Sequence, residues 1–345
     1  MAEYASTLDT AAAAALIQAA PDPLVVLTHA KPDGDAFGST VALTAALRSR
    51  GRDVRAYLAP PVPAALQKLA GADLAEVFQE GGKLPDAGLY LVLDTGATGQ
   101  LGPVTEAMTP DRLQRTLIVD HHLSGDLPAA NKLIDGTAAA CAEIVAELIE
   151  ELLGELSCPD EDCQRTITEG LFVGIASDTG WFRFSNTRPR THELAARLLR
   201  AGVDHARLYR GLEQTERPQK LALLTRALDS LHLIAGGRAA VMVLSKEDFA
   251  ETGALQEETE RLIDVPQQIG DLQVVALLSE VGSGDSVSTR MSFRSKPDPD
   301  AANVAQLAHQ FGGGGHARAA GASFDGPAEK ILPEVEKALR DAVTG

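Results

Sequence analysis

The chain has 345 residues, of which 45% are hydrophobic and 23% charged, so it can form two domains of roughly 100–200 residues, each with a packed core. Its 48 acidic and 31 basic residues give a formal net charge of -17, which disfavours non-specific binding to long duplex nucleic acid or an anionic membrane. No apolar segment approaches the roughly 20 residues needed to cross a bilayer, and we therefore expect a cytoplasmic protein without membrane contacts.

Short apolar segments alternate with helical patterns in the first half of the chain. An alanine-rich helix ends before Pro21, and strands are predicted over residues 24–28, 54–58, 89–94 and 116–120. Their nearly continuous apolar character is typical of strands buried on both faces of a parallel sheet. Helical patterns over 39–50 and 144–153 end at Gly51 and Gly154. The alternation predicts an α/β fold with a doubly wound parallel sheet, whose ligand sites lie at the carboxyl ends of strands.

A different pattern begins after about residue 190. Residues 192–233 are mostly helical in pattern, with interruptions at Gly202 and Pro218. Strands are predicted over 239–244, 272–281 and 287–293, with a helix over 301–310 and another near the C-terminus. We therefore predict a first domain over residues 1–190, a helical linker over 191–228, and a smaller mixed α/β domain over 229–345.

Two predicted strands in the first half end in groups of polar residues. After the first strand, His29, Asp33 and Asp35 lie within seven residues and offer the nitrogen and oxygen ligands that divalent ions take, although Pro-Asp-Gly-Asp is also an ordinary turn sequence. After the fourth, Asp120-His121-His122 offers a metal ligand, a carboxylate to orient it and a second imidazole. The alternative there is a helix cap with two surface histidines.

Single aspartates follow two further apolar segments. Asp94 ends the strand over 89–94, and Asp178 follows the segment over 174–177, which we interpret as another strand end. Five carboxylates and three imidazoles at corresponding ends of one sheet exceed what turn formation requires. Together they favour a site for two metal ions.

The second domain contains a glycine-rich segment and an arginine-bearing strand. Gly312–Gly315 precede His316, which favours a loop whose backbone amides approach an anion; a flexible tether is the alternative. Alternation over 287–294 places Arg290 and Arg294 on one polar face. We expect Arg290 to be solvated and Arg294, which is nearer the following loop, to bind phosphate.

Three cysteines, Cys141, Cys158 and Cys163, are too few for a disulfide framework in a chain of this size, which favours a reducing compartment. We interpret Cys158 and Cys163 as ordinary loop thiols. The alternative, half of a zinc site, lacks a second Cys/His pair nearby.

The combined motifs resemble the DHH phosphoesterase family with a C-terminal DHHA1 domain. The resemblance extends over nearly the whole chain and is greatest to the nanoRNase and pAp phosphatase group of that family. It implies that the first domain is a Rossmann-like catalytic DHH domain and the last a substrate-binding DHHA1 domain. The motifs that carry it are His29-x3-Asp33-x-Asp35, Asp94, Asp120-His121-His122, Asp178, Gly312 to His316 and Ala319-Ala320-Gly321.

The resemblance also implies roles for individual residues. One Mn²⁺ would be held by His29, Asp33 and Asp94, and the other by Asp35, Asp94, His121 and Asp178, with Asp94 bridging. Asp120 would orient its neighbours, and His122 would contact the phosphate or protonate the leaving oxygen. In the cleft between the domains, the other phosphate of the substrate would be bound by Arg294, Asn303, Gly313, Gly314, Gly315 and His316.

The sequence departs from the family's pattern at three places. Residues 95–100 replace a further Asp and an Arg that are often found after Asp94, Gly125 stands where an Asn is common, and Ala139-Ala140-Cys141 replace the usual Ser-Ser-Thr. None of the proposed ligands is lost. The departures affect the hydrogen bonds around the ligands and the substrate preference.

These observations predict a metal-dependent phosphoesterase that hydrolyses oligoribonucleotides of two to five nucleotides and the 3′-phosphate of pAp through a water activated by two metal ions. The partners we expect are short oligonucleotides, pAp or cyclic dinucleotides, and a homodimer is left open. The first alternative is a cyclic-di-AMP or pApA phosphodiesterase, and the second is an inactive nucleotide-binding module. A processive exonuclease of the RecJ kind is disfavoured because the acidic chain offers no extended basic channel. The inorganic pyrophosphatase branch of the family is disfavoured by the glycine-histidine segment.

Overall fold

A computed structural model describes residues 4–282, 287–296 and 301–344. The chain divides into two compact units, Met1–Thr215 and Glu216–Gly345. The boundary lies inside the segment over 191–228 that the sequence suggests as a linker. Within the described ranges, no helix has both the length and the apolar composition that a membrane crossing requires.

The first unit is built on a six-stranded sheet in which every neighbouring pair of strands is parallel. The strand order is 3-2-1-4-5-6. The four predicted strands are confirmed, with ends that differ from the prediction by at most two residues, whereas the third and sixth were missed because they are short, partly exposed edge strands. The strands are β1 (Leu24–Ala30), β2 (Val54–Ala59), β3 (Ala75–Val77), β4 (Leu89–Leu93), β5 (Thr116–Asp120) and β6 (Asn131–Ile134).

Six helices of the first unit share one hydrophobic core with the sheet, while short 3-10 helices and loops cover the opposite face. The last two helices of the unit come from the helical segment that Gly202 interrupts, as predicted. The helices are α1 (Thr10–Ala19), α2 (Gly34–Ser49), α3 (Pro110–Gln114), α4 (Cys141–Leu153), α5 (Glu161–Asp178), α6 (Pro189–Arg200) and α7 (His205–Glu213); all of them except α3 contribute to this core.

Helix α5 corrects one sequence interpretation. Asp178 is the last residue of this 18-residue helix and does not follow a strand. Because residues 166–176 are all buried, the helix is covered on every face, and residues 171–176 form an unbroken run of apolar residues and glycine. A short buried helix segment of this kind has the same continuous pattern as a buried strand. Helix α2 also begins five residues earlier than predicted, because the Asp33 side chain caps it by accepting from the N–H groups of Asp35 and Ala36.

The cysteines provide a second correction. Cys158 and Cys163, predicted to be ordinary loop thiols, are joined by a disulfide bond across the start of α5, and Cys141 is a buried free thiol. The prediction failed because the pair is separated by only five residues, and sequence spacing alone does not reveal that the turn into α5 brings the two Cα atoms to 6.1 Å.

The second unit has a mixed six-stranded sheet of order 11-12-10-9-8-7, in which only the pair formed by the eighth and ninth strands is parallel among the described strands. Two helices cover one face and the other two lie on the opposite face. The strands are β7 (His232–Ile234), β8 (Ala239–Leu244), β9 (Val274–Val281), β10 (Ser288–Ser295), β11 (Gly314–His316) and β12 (Ala319–Phe324), and the helices α8 (Pro218–Asp229), α9 (Lys246–Thr252), α10 (Val304–His309) and α11 (Ala328–Thr344).

The predicted alternation along β10 is confirmed. Thr289, Met291 and Phe293 are buried, whereas Arg290 is exposed and Arg294 half-buried. The glycine-rich segment was predicted to be a loop, and this is wrong for Gly314–His316, which form the edge strand β11. The short strands β7, β11 and β12 escaped prediction because they are rich in small residues or only three residues long.

Candidate metal centre

The carboxyl ends of three parallel strands and the ends of two helices meet at one edge of the first sheet. Strands β1 and β4 are neighbours there, at the point where the strand order reverses direction, and β5 lies beside β4. In a doubly wound sheet this crevice is where ligands bind. The side chains that reach it come from β1, the residues after β4 and β5, the start of α2 and the end of α5.

Asp94 stands at the middle of this group. It follows β4 with a φ of 59°, an uncommon conformation for a residue other than glycine, and its side chain is 2% exposed. Its Oδ2 lies 3.4 Å from His29 Nε2 and its Oδ1 3.4 Å from His121 Nε2. The two carboxylate oxygens therefore face two different imidazoles, an arrangement that suits a bridging ligand.

His29 and Asp33 complete one side of the centre. His29 Nδ1 is 3.0 Å from the carbonyl oxygen of Ala30, which fixes the ring and leaves Nε2 facing Asp94 and, at 3.9 Å, Asp33 Oδ1. Asp33 uses the same Oδ1 to cap α2, while its side chain remains about half exposed. The turn sequence after β1 thus both starts a helix and supplies a carboxylate to the centre.

Asp35 lies on the other side and is fully buried. Its Oδ1 accepts from Ser39 Oγ at 3.1 Å and from the N–H of Ala142 at 2.9 Å, and its Oδ2 accepts from the N–H of Cys141 at 2.5 Å. A carboxylate has about four lone-pair sites, so one site on Oδ2 remains for a metal ion. The backbone donors at the start of α4 were not foreseen, because nothing in a sequence marks a backbone N–H as a partner.

His121 and Asp178 are paired across the centre, with 3.2 Å between Nε2 and Oδ2. Asn186 holds the backbone of this side, since its amide donates to the carbonyl oxygens of Ala139 and Asp178. Glu143, which is 4% exposed, accepts from Arg190 and from the N–H of Ala139. Sequence reasoning missed these supports, which fix the loop before α4 relative to the end of α5.

The donor set fits divalent metal ions. Asp94 Oδ1 and His121 Nε2 are buried and make no hydrogen bond of normal geometry with any described residue, a costly arrangement unless something else binds them. Three overlapping groups have ligand atoms within 4.8 Å of one another: His29 with Asp33 and Asp94, Asp35 with His121 and Asp178, and Asp94 with His121 and His122. The sequence-predicted ligands are thus brought together, and His122 also lies within reach of Asp94.

The charges of these groups perturb one another. Burial lowers the pKa of His121, but the carboxylates of Asp178 and Asp94 outweigh it and raise the pKa to about 11. Burial also lowers the pKa of His29, but the hydrogen bond to Asp94 and its charge outweigh burial and raise this pKa to about 9. Burial and the charge of Asp94 raise the pKa of Asp35 well above its usual range. Without metal, the centre therefore holds protons where a divalent cation would otherwise balance the carboxylates.

Asp120 and His122 lie beside the ligands. Asp120 is fully buried, and its Oδ1 is 2.7 Å from His122 Nδ1. This hydrogen bond raises the pKa of His122. The His122 side chain is 47% exposed, so the imidazole is held from its inner nitrogen and open to solvent on the other side.

The substrate-binding candidates lie in the second unit. Arg294 of β10 pairs in register with Ala319 of β12, which pairs in turn with His316 of β11. Residues paired in one row project to the same face of a sheet, so Arg294 and His316 share a face about 10 Å apart. The Asn303 side chain caps α10 through the N–H groups of Ala305 and Gln306, which gives it a structural task.

The glycine segment is tied to the same helix. The N–H of Val304, next to Asn303, donates to Ala317, and the N–H of Gly313 donates to the carbonyl oxygen of Ala308. A Cβ on Gly315, whose φ is 142°, would lie 2.6 Å from the carbonyl oxygen of Ala319. The segment is therefore closely packed, which contradicts the flexible-tether alternative.

Comparison with known families agrees with this architecture. Residues 23–175 match the N-terminal domain of the DHH family, and residues 236–345 match the DHHA1 domain. The protein contains a DHH domain followed by a DHHA1 domain. The resemblance noted from the motifs is confirmed, and the candidate metal ligands lie in the first unit, which we call the DHH unit.

Three relatives illustrate the range of similar proteins. The bifunctional oligoribonuclease and PAP phosphatase NrnA of Thermus thermophilus is 28% identical over 333 residues, which cover 96% of this chain and 93% of the relative. An exopolyphosphatase-related protein from Bacteroides fragilis shares the fold with a TM-score of 0.82 at 22% identity, covering 96% of this chain and 95% of that one. The exonuclease RecJ bound to manganese has a TM-score of 0.51 at 17% identity, with coverage of 97% and 94%.

Proposed function

We propose that this protein is a phosphoric ester hydrolase that uses two divalent metal ions to hydrolyse short oligoribonucleotides and to remove the 3′-phosphate of pAp. The observation that carries the proposal is the gathering of His29, Asp33, Asp35, His121 and Asp178 around the buried carboxylate of Asp94. The activity for which the Thermus thermophilus relative is named supports the substrate class, since that relative aligns along almost the whole chain.

The two metal ions would share Asp94. One would be held by His29, Asp33 and Asp94, and the other by Asp35, Asp94, His121 and Asp178. Imidazole and carboxylate ligands together suit Mn²⁺, and a protein of the same fold binds manganese. When bound, paired ions of this kind make water a nucleophile at neutral pH and neutralise charge on phosphoryl oxygens.

His122 has the geometry of a general acid. Its Nδ1 faces Asp120, so the neutral ring carries a proton on Nδ1 and the protonated ring carries a second one on the outer nitrogen, Nε2. Because the hydrogen bond to Asp120 raises the pKa of His122, the protonated form persists to higher pH than in an unperturbed imidazole. That Nε2–H would donate to a phosphoryl oxygen or to the leaving oxygen.

The distribution of charge supports a short substrate. Single-stranded polymers are usually bound along a continuous basic groove, whereas this chain has a net charge of -17. Arg294 and His316 on one face of the DHHA1 sheet offer a local anion clamp. In our proposal this clamp binds a second phosphate of the substrate, with contributions from Asn303 and the amides of Gly313, Gly314 and Gly315.

A substrate panel tests the proposal. Hydrolysis is measured with Mn²⁺ and then Mg²⁺ on pAp, pApA, cyclic-di-AMP, an RNA trimer and a 24-nucleotide RNA. We expect turnover of pAp and the trimer and little turnover of the 24-mer. Preferential turnover of cyclic-di-AMP or pApA would favour the signalling-type alternative, and tight binding of pAp without hydrolysis would favour an inactive module.

Two variants test the metal centre. Asp94→Asn and His121→Ala should each abolish Mn²⁺-dependent hydrolysis, because asparagine replaces one of the two carboxylate oxygens by an NH₂ group and loses the charge, and alanine removes the imidazole. Asp162→Asn is the matched control, since Asp162 is 86% exposed and forms a surface ion pair with Arg165 on the same helix. Unchanged hydrolysis in Asp94→Asn would refute the two-metal mechanism.

A further inference from the structure

The N-terminal segment runs along the outer edge of the first sheet and reaches the metal centre. Ser6 Oγ accepts from the N–H of Ile134 and donates to its carbonyl oxygen. One residue further, the N–H groups of Thr7 and Leu8 donate to the carbonyl oxygen of Lys132. These bonds hold the segment against β6 and direct Tyr4, which precedes them, toward the residues that follow β4 and β5.

The ring of Tyr4 occupies a space that two glycines leave open. A Cβ on Gly96 would lie 2.5 Å from Tyr4 Cε2, and a Cβ on Gly125 would lie 2.7 Å from Tyr4 Cζ, both closer than real Cβ contacts. Side chains at either position would therefore exclude the ring. The phenol sits in a pocket formed by two loops of the DHH unit, next to the end of β5.

The Tyr4 hydroxyl donates to Asp120 Oδ2 at 2.6 Å. The other oxygen of Asp120 accepts from the N–H groups of His121 and His122 and faces His122 Nδ1. Burial and the charge of Asp120 raise the pKa of Tyr4 far above its usual value, so the phenol stays protonated and remains a donor. The two oxygens of the carboxylate therefore have different partners, and its plane is fixed from both sides.

We propose that Tyr4 is a positioning residue of the reaction, whose phenol fixes the Asp120 carboxylate so that Asp120 in turn holds the His122 ring toward the substrate. The inference rests on the proposed function of His122. Without the hydroxyl, a buried carboxylate oxygen would lose its donor, and the carboxylate would rotate or admit water. Either change would loosen the orientation of His122 while leaving the metal ligands in place.

Tyr4→Phe removes the hydroxyl and keeps the ring. We expect kcat to fall about tenfold, with KM and the Mn²⁺ dissociation constant changed by less than about twofold. Tyr90→Phe is the matched control, because its buried phenol donates to Pro85 and accepts from Arg112 within the same unit. That variant also loses a buried hydroxyl and should keep the wild-type kcat.

A double-mutant cycle with His122→Ala separates positioning from a general structural effect. If Tyr4 acts through His122, removal of the phenol in the His122→Ala background costs less than about twofold in kcat. Effects of Tyr4→Phe and His122→Ala that multiply, or a wild-type kcat for Tyr4→Phe, would overturn the inference.

A readout in the metal-free protein is independent of turnover. At a pH high enough for His122 to be neutral, its ring 15N shifts should report a proton held on Nδ1 in the wild type and in Tyr90→Phe, and should move toward a mixture of tautomers in Tyr4→Phe. Unchanged ring shifts in Tyr4→Phe would contradict the inference. A wild-type protein that hydrolyses none of the panel substrates would instead refute the proposed function, and the two failures are thereby distinguished.

Discussion

Replacement of Gly38 by alanine tests whether the close contact between α2 and α5 sets the geometry of the metal centre. Asp35 lies at the start of α2 and Asp178 at the end of α5. About one turn into α2 from Asp35, the two helices touch through their backbones: a Cβ on Gly38 would overlap the carbonyl oxygen of Gly170 and lie 2.9 Å from its carbonyl carbon. Since the obstacle is backbone, the helices must move apart to admit a methyl group.

The expected cost follows from two opposing effects. Alanine in a helix interior is favoured over glycine by about 1 kcal/mol, and overpacking against an unyielding neighbour costs about 3 kcal/mol. We therefore expect the free energy of unfolding of the first unit to fall by about 2 kcal/mol. Separation of the helices should also weaken Mn²⁺ binding, because Asp35 and Asp178 would no longer approach the same ion.

Urea unfolding followed by tryptophan fluorescence measures this effect. The single tryptophan, Trp181, lies in the first unit and packs against Phe172 of α5, so its emission reports on the relevant unit. Gly211→Ala is the matched control: Gly211 is inside α7, and a Cβ there meets no atom within 4 Å. We expect the control to be stabilised by up to about 1 kcal/mol. Equal unfolding midpoints for the two variants would refute the packing argument.

Three further predictions concern the centre and its supports. The folded-state pKa values of His29 and His121, about 9 and about 11, lie above the ordinary value near 6.5. Protonation of the two imidazoles therefore stabilises the metal-free fold. This stabilisation is complete below pH about 6.5 and is lost as the pH rises through the folded-state pKa values. Metal-free protein should therefore unfold at lower urea at pH 9 than at pH 7, a trend that an increase would contradict. Because the same imidazoles must be deprotonated to bind metal, calorimetry in buffers of different ionisation enthalpy should show proton release on Mn²⁺ binding at pH 7.5, and binding without release would disprove the assigned ligands. Arg190→Ala leaves the buried carboxylate of Glu143 without its charged partner and should lower the free energy of unfolding by about 2 kcal/mol. This loss is smaller than for a fully buried ion pair because Arg190 is 36% exposed, and wild-type stability in urea would rule it out.

The parallel sheet could be predicted because its strands are buried on both faces. A run such as Leu89–Leu93, with every residue buried, is apolar from end to end, and its terminal polar residue is conspicuous. The convergence of His29, Asp94 and His121 could be anticipated from the same fact, since the carboxyl ends of parallel strands share one edge.

Other features depend on contacts that sequence patterns do not encode. Helices α2 and α4 pack against α5 and bury it, so its sequence does not show the apolar stripe that marks a surface helix. Asp178 was therefore interpreted as the end of a strand. The hydroxyl of Tyr4 meets Asp120 across 116 residues of sequence. The partners of Asp35 include two backbone N–H groups of α4. Almost every residue has such an N–H group, so only the fold determines which of them meet the carboxylate.

The attachment of residues 6–8 to β6 has a consequence for the behaviour of the protein in concentrated solution. Strand β6 is the last strand of its sheet, and an uncovered last strand invites pairing with another molecule. Ser6, Thr7 and Leu8 occupy backbone groups of Lys132 and Ile134 that would otherwise be open to such pairing. Removal of the residues before residue 9 should therefore promote self-association through this edge. The solubility of the protein would then depend in part on the same short segment that places Tyr4 beside Asp120.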